Sequence, residues 1–137
     1  MKTVFADTGY WHATVDPADQ LHETATAISQ KLGPVRFLTT EMVLDELLAT
    51  LRAPATRSIA IRAVQTIMSN PNVEVVPQTS SQFHEALRTY SDRLDKEWSL
   101  TDCASFNLMN QRGIREALAH DKHFEQAGFS ALLRSHE

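Results

Sequence analysis

The most constraining feature of the sequence is a set of short apolar runs, rich in β-branched and aromatic residues, that alternate with helical patterns. Thr3-Val4-Phe5-Ala6 is the first run and is cut off by Asp7-Thr8-Gly9. Arg36-Phe37-Leu38, Val73-Glu74-Val75-Val76, Ala117-Leu118-Ala119 and Ala131-Leu132-Leu133 follow. Runs this short, without a regular polar face, read as strands buried on both sides.

The stretches between them repeat apolar residues at helical spacing. Asp16 followed by Pro17 is an N-cap with proline in the first turn, and Leu21, Ala25, Ile28 and Leu32 share a face until Gly33-Pro34. Thr40 caps a second helix carrying Val43, Leu47 and Leu51, and after Pro54 a third carries Ile59, Ala63, Val64, Ile67 and Met68 up to Asn70-Pro71. Ser80 or Ser81 caps a fourth with Phe83, Ala86, Leu87, Tyr90 and Leu94 on one side, and a fifth runs from about Thr101 to Arg112 before Gly113. Buried strands alternating with amphipathic helices demand a parallel sheet covered on both faces. The expected fold is a three-layer α/β/α domain with a central, mainly parallel sheet of about five strands.

With 137 residues, 42% apolar and 22% charged, the chain has the size of one domain, spanning 1–137, with a single core; a two-domain enzyme is excluded. No linker, repeat or low-complexity segment divides it. Uninterrupted apolar runs stop at three residues, too short for a membrane span or a signal peptide, so no membrane association is expected. The single cysteine, Cys103, can form neither an internal disulfide nor a thiolate-rich zinc site, and the expected compartment is the cytoplasm. Thirteen Lys plus Arg against 17 Asp plus Glu give a net charge of −4, which excludes a protein that holds nucleic acid by bulk charge.

The acids are not scattered evenly. Asp7 directly follows the first strand and Asp121 closely follows the fourth, so both project from the carboxyl edge of the sheet, where ligands of such folds collect. Asp102 lies in the first turn of the fifth helix, and Asp45 and Glu46 lie in the helix after the second strand. Carboxylates that converge without matching cations either take up protons or bind a divalent metal, and oxygen ligands favour Mg²⁺ or Mn²⁺. Each acid alone also has a structural explanation, as a turn former or as a partner of a helix dipole. The paired strand-end positions of Asp7 and Asp121 carry the functional reading. At about 100° per residue, Asp45 and Glu46 flank the apolar face of their helix symmetrically, and periodicity selects neither.

Other residues give weaker signals. Tyr10 and Trp11 could stack on a base, although aromatic residues just past a strand are more often packing. Trp98 reads as core. His120 and His123 flank Asp121 but lack a third ligand at zinc spacing, which leaves them outside the metal site. Cys103 reads as a small buried side chain, and the arginines fall mostly on polar helix faces.

Four blocks in order, Phe5-Ala6-Asp7-Thr8-Gly9-Tyr10-Trp11, Thr39-Thr40-Glu41-Met42-Val43-Leu44-Asp45-Glu46-Leu47, Trp98-Ser99-Leu100-Thr101-Asp102-Cys103 and Ala119-His120-Asp121-Lys122-His123-Phe124, resemble the conserved blocks of PIN-domain proteins. Together they span nearly the whole chain. The resemblance implies an α/β/α metal-dependent nuclease, similar to the VapC-like ribonuclease toxins of toxin–antitoxin pairs. It implies that Asp7, Glu46, Asp102 and Asp121 form the acidic catalytic and metal site with Mg²⁺ or Mn²⁺, accompanied by Thr8 and Thr101. It further implies RNA as substrate, an antitoxin partner and a homodimer. Where the family often has a further acid after the last aspartate, this chain has Lys122 and His123, and Glu125 is the nearest candidate. The four carried-over acids are four of the 17; the remaining 13 equal the basic residues in number.

Three rival functions fit parts of the sequence. Asp7-Thr8-Gly9 is also the signature of aspartic proteases, but their glycine-rich β fold contradicts five helices and four glycines. A HAD-like phosphatase using Asp7 as nucleophile fits the sheet but lacks the second aspartate, whose position Gly9 occupies. A PIN-like domain without activity, serving as an RNA- or protein-binding module, is the non-enzyme alternative.

Overall fold

A computed structural model describes residues 1–134. Five strands, β1 (Thr3–Ala6), β2 (Arg36–Thr40), β3 (Val73–Val76), β4 (Glu116–Leu118) and β5 (Ser130–Ala131), form one sheet in the order β3-β2-β1-β4-β5. Every pairing is parallel. The chain therefore steps outward from β1 to β3 and then crosses to the other side of β1. That reversal leaves a crevice beyond the carboxyl ends of β1 and β4.

The first two crossovers are made by α1 (Thr8–Val15), α2 (His22–Leu32), α3 (Glu41–Thr50) and α4 (Arg57–Ser69), which pack on one another as one layer. The return crossover uses α5 (Ser80–Asp92) and α6 (Leu100–Arg112), and with α7 (Lys122–Gln126) these make the opposite layer. Strand alternation divides the core between the layers. Val4 pairs with Phe37, and Phe5 with Leu38. Phe37 meets Tyr10 and Trp11 of α1, with ring centroids at 6.2 and 5.8 Å. Phe5, pointing the other way, meets Phe124, which packs edge-on against Phe106 at 5.0 Å. Phe5 and Phe124 are fully buried, and each contributes roughly 2–3 kcal/mol by removal from water.

All five expected strands are present: β1 and β3 have the expected bounds, and β2, β4 and β5 differ at their ends by one or two residues. Thr40 caps α3 by accepting from the Val43 amide, as its position suggested. The helix expected from Asp16 is different. Asp16 ends a helix, α1, that the periodicity did not announce because its Tyr10, Trp11 and Ala13 are buried on more than one side. The carboxylates of Asp16 and Asp19 accept from the amides of Ala18 and Leu21 in local turns, and α2 begins only at His22. Neither Ser80 nor Ser81 caps α5. Thr79 does, in a reciprocal box with Gln82, and Leu94 lies beyond the helix end and is exposed.

Two helix-to-strand turns depend on glycine. Gly33 after α2 and Gly113 after α6 both adopt φ of +67°, a region that strains side-chain-bearing residues. Both lie at the amino edge of the sheet, opposite the crevice.

Candidate functional site

The crevice is built around Asp7, whose backbone is fixed from two sides. Its amide donates to the Leu118 carbonyl of β4 at 3.2 Å, and the preceding carbonyl, of Ala6, accepts from the buried Thr39 hydroxyl of β2 at 2.9 Å. Asp7 is the N-cap residue of α1, yet its side chain makes no capping hydrogen bond. The carboxyl is half-buried and in the field of Asp102, Glu46 and Asp121. Burial first, and then those three acids, push its pKa up to about 8 against the opposing Thr8 amide. Asp102, Glu46 and Asp121 therefore all lie within electrostatic reach of Asp7.

Each of the other acids is held by a different device. Glu46, half-buried on α3, accepts a 2.5 Å hydrogen bond from the Thr8 hydroxyl, whereas Asp45 is exposed. Asp102 is the third residue of α6: Oδ2 accepts from the Ser99 amide at 3.0 Å, and the Asp102 amide donates to Ser99 Oγ. Burial raises the Asp102 pKa, opposed by the Ser99 amide and by His123. Asp121 is exposed and caps α7 through Oδ1, which accepts from the His123 amide at 3.0 Å. Among the described residues, no Lys or Arg forms an ion pair with any of the four.

His123 is the member that sequence reasoning set aside. Its Nδ1 lies 3.1 Å from Asp102 Oδ2 and 3.1 Å from Asp121 Oδ1. The signal available was the spacing Asp121-x-His123. At a helix N-terminus it turns the second side chain back over the cap, but without α7 its target was not visible. The other suggested residues have different surroundings. Thr101 precedes Asp102 in the first turn of α6, and its carbonyl accepts from Ser105 Oγ. Glu125 is exposed and paired with Arg134 at 2.9 Å. Tyr10 and Trp11 do not offer a face to a base: both are buried, with Tyr10 Oη at 2.7 Å from Ser29 Oγ and Trp11 Nε1 donating to Thr39. Trp98 and Cys103 are core residues.

The donor chemistry fits a small divalent cation. Asp102, Asp121 and His123 each present a ligand atom within 4.8 Å of the other two. An octahedral ion with bonds near 2.1 Å holds its ligand atoms about 3–4 Å apart, so little adjustment is required.

The PIN domain family model matches residues 4–130. The chain belongs to the PIN-domain family. This PIN domain is 30% identical over 126 residues, 92% of its own length and 95% of the relative's, to the 23S rRNA-specific endonuclease VapC20 of Mycobacterium tuberculosis, in strains CDC 1551 / Oshkosh and ATCC 25618 / H37Rv. Its fold matches the crystal structure of M. tuberculosis VapC20, a sarcin–ricin loop cleaving toxin, with a TM-score of 0.84 and 28% identity over 93% of this chain and 97% of that one. A PIN-domain nuclease is a hydrolase, and PIN nucleases typically require a divalent metal. The phosphatase and protease alternatives therefore give way. No helix among the described residues is long and apolar enough to cross a membrane.

Proposed function

We propose that this PIN domain is an Mg²⁺- or Mn²⁺-dependent endoribonuclease toxin whose site is Asp7, Glu46, Asp102 and Asp121, with Thr8 and Thr101 in support, and whose substrate is a structured ribosomal RNA loop. The observation that carries it is the convergence of carboxylates from separate segments at the carboxyl edge of the sheet, held by Thr8, Ser99 and His123 and without a Lys or Arg ion pair among the described residues. A bound divalent ion supplies the positive charge that neutralises a non-bridging phosphate oxygen and promotes ionisation of water.

The chain's own residues do the positioning. Asp7, Glu46, Asp102 and Asp121 would hold the ion through their carboxylate oxygens, as ionised ligands. Ser99 fixes Asp102 Oδ2, and Thr8 fixes Glu46 Oε1, so neither carboxylate must be ordered when substrate arrives. Glu46, the member whose segment lies on the opposite helical layer from Asp102, is placed to orient the attacking water. The similarity to VapC20 over nearly the full chain supports a ribosomal substrate.

An antitoxin partner and a homodimer belong to the same reading. Leu48, Ile59, Ile61 and Met68 on α3 and α4, and Phe83, Leu87 and Tyr90 on α5, are exposed apolar side chains that suit such contacts.

The test is incubation of pure protein with a 23S rRNA fragment containing the sarcin–ricin loop, and with unrelated structured RNAs, in Mg²⁺ or Mn²⁺. One discrete cut that disappears with chelator and with Asp7→Asn is expected. Cleavage unchanged by chelator and by Asp7→Asn would refute the proposal.

A further inference from the structure

The four-acid site leaves His123 without a role, although its ring nitrogen lies 3.1 Å from an oxygen of each of two of the acids. We propose that His123 is a direct nitrogen ligand of the divalent ion, so that the centre is a mixed carboxylate–imidazole site biased from Mg²⁺ toward transition-metal ions. The inference rests on the metal-dependent reading above.

Three observations carry it. Nδ1 lies 3.1 Å from one oxygen of each of Asp102 and Asp121, and an imidazole nitrogen has at most one proton, which cannot point straight at both. With Asp102 as its hydrogen-bond partner, the nitrogen lies where the two carboxylates converge, the place a third metal donor would take. All three ligand atoms lie within 4.8 Å of one another.

The ring is also prepositioned. Its amide is engaged by Asp121, and the next residue, Phe124, is fully buried against Phe5 and Phe106, which anchors α7. The side chain is only 17% exposed. A ligand held in this way requires little ordering when the ion enters.

Nitrogen in place of oxygen changes selectivity. Mg²⁺ favours oxygen donors and retains its waters, whereas first-row transition ions accept imidazole readily.

The experiment loads the full chain with Mn²⁺ and reads nitrogen coupling to the ion by pulsed electron paramagnetic resonance, with Mg²⁺ competition giving relative affinity. Wild type should show a directly coordinated nitrogen. His123→Gln should lose that coupling and bind Mn²⁺ about tenfold or more weakly, with a smaller change for Mg²⁺, and His120→Gln should retain it. Mn²⁺ bound without nitrogen coupling in the wild type overturns the inference, as does coupling that survives His123→Gln. The wild-type spectrum decides even if the variant fails to fold. Metal-dependent RNA cleavage with no nitrogen coupling sinks this inference alone; no Mn²⁺ binding at all sinks it together with the metal-dependent reading.

Discussion

Thr8 and Glu46, 38 residues apart, are joined by a 2.5 Å hydrogen bond from hydroxyl to carboxylate. Thr8 opens α1 directly after the central strand, and Glu46 comes from the middle of α3. The bond therefore aims a long, flexible side chain at the crevice and decides between two adjacent acids that a helical wheel treats alike. Thr8→Val should lower RNA cleavage by about 10- to 100-fold, while Thr8→Ser retains most activity. Both variants should unfold at similar denaturant concentrations. A fully active Thr8→Val enzyme would remove Thr8 from the site.

Asp7→Asn should reduce cleavage by at least about 100-fold, the scale seen when a group that stabilises developing charge is deleted. The fold should survive, because the Asp7 side chain makes no capping bond to α1. In chelator at pH 8 and above the variant should be more stable than wild type, since a crowded buried charge has gone. Paired denaturant titrations and cleavage assays check both parts, and a variant that unfolds more easily at that pH contradicts the second.

The metal-free protein should also show a particular pH dependence. Asp7 has a folded pKa of about 8 against an ordinary value of 3.8. Between those values the folded state binds its proton more tightly than the unfolded state, so this contribution is fully present below about pH 4 and is lost as the pH rises to about 8. Asp102, also raised, acts in the same direction. The wild-type minus Asp7→Asn difference in unfolding free energy, measured in chelator, should fall across this range, and saturating Mn²⁺ should abolish the fall. A flat difference in chelator would mean that Asp7 is ionised throughout.

Trp11→Phe should cost about 1–3 kcal/mol of stability, through lost ring volume and the lost bond to the buried Thr39 hydroxyl. It should leave KM for RNA unchanged, because the ring is 7% exposed. A raised KM with unaltered stability would reopen a stacking role.

Much of this architecture was legible because parallel strands buried on both faces leave a plain compositional trace. Val4, Phe5 and Ala6 have no water-facing side to dilute it. The carboxyl-edge position of Asp7 and Asp121 followed from the strand ends alone. α1 was not legible, because a helix enclosed on more than one side loses its period and its opening Asp7-Thr8-Gly9 reads as a turn. The Asp16 cap failed because an aspartate can close a local turn as well as start a helix. Among Thr79, Ser80 and Ser81 the cap was decided by Gln82, three residues after Thr79, a reciprocal pattern that local sequence does contain. Periodicity could not choose Glu46 over Asp45, and only the family resemblance did, in keeping with the Thr8 hydroxyl that holds it; His123 needed the third dimension, because its partner is an acid 21 residues away.

The glycine turns and the acids occupy opposite edges of the sheet, and this separates two kinds of damage. Side chains placed at Gly33 or Gly113 strain the backbone far from the crevice and act on how much folded protein accumulates. Substitutions at Asp7 or Glu46 act on turnover per folded molecule. In a survey of random variants that scores cellular protein level and growth inhibition independently, these positions should fall into two groups. Rescue of growth inhibition by raised expression would then be confined to the glycine edge.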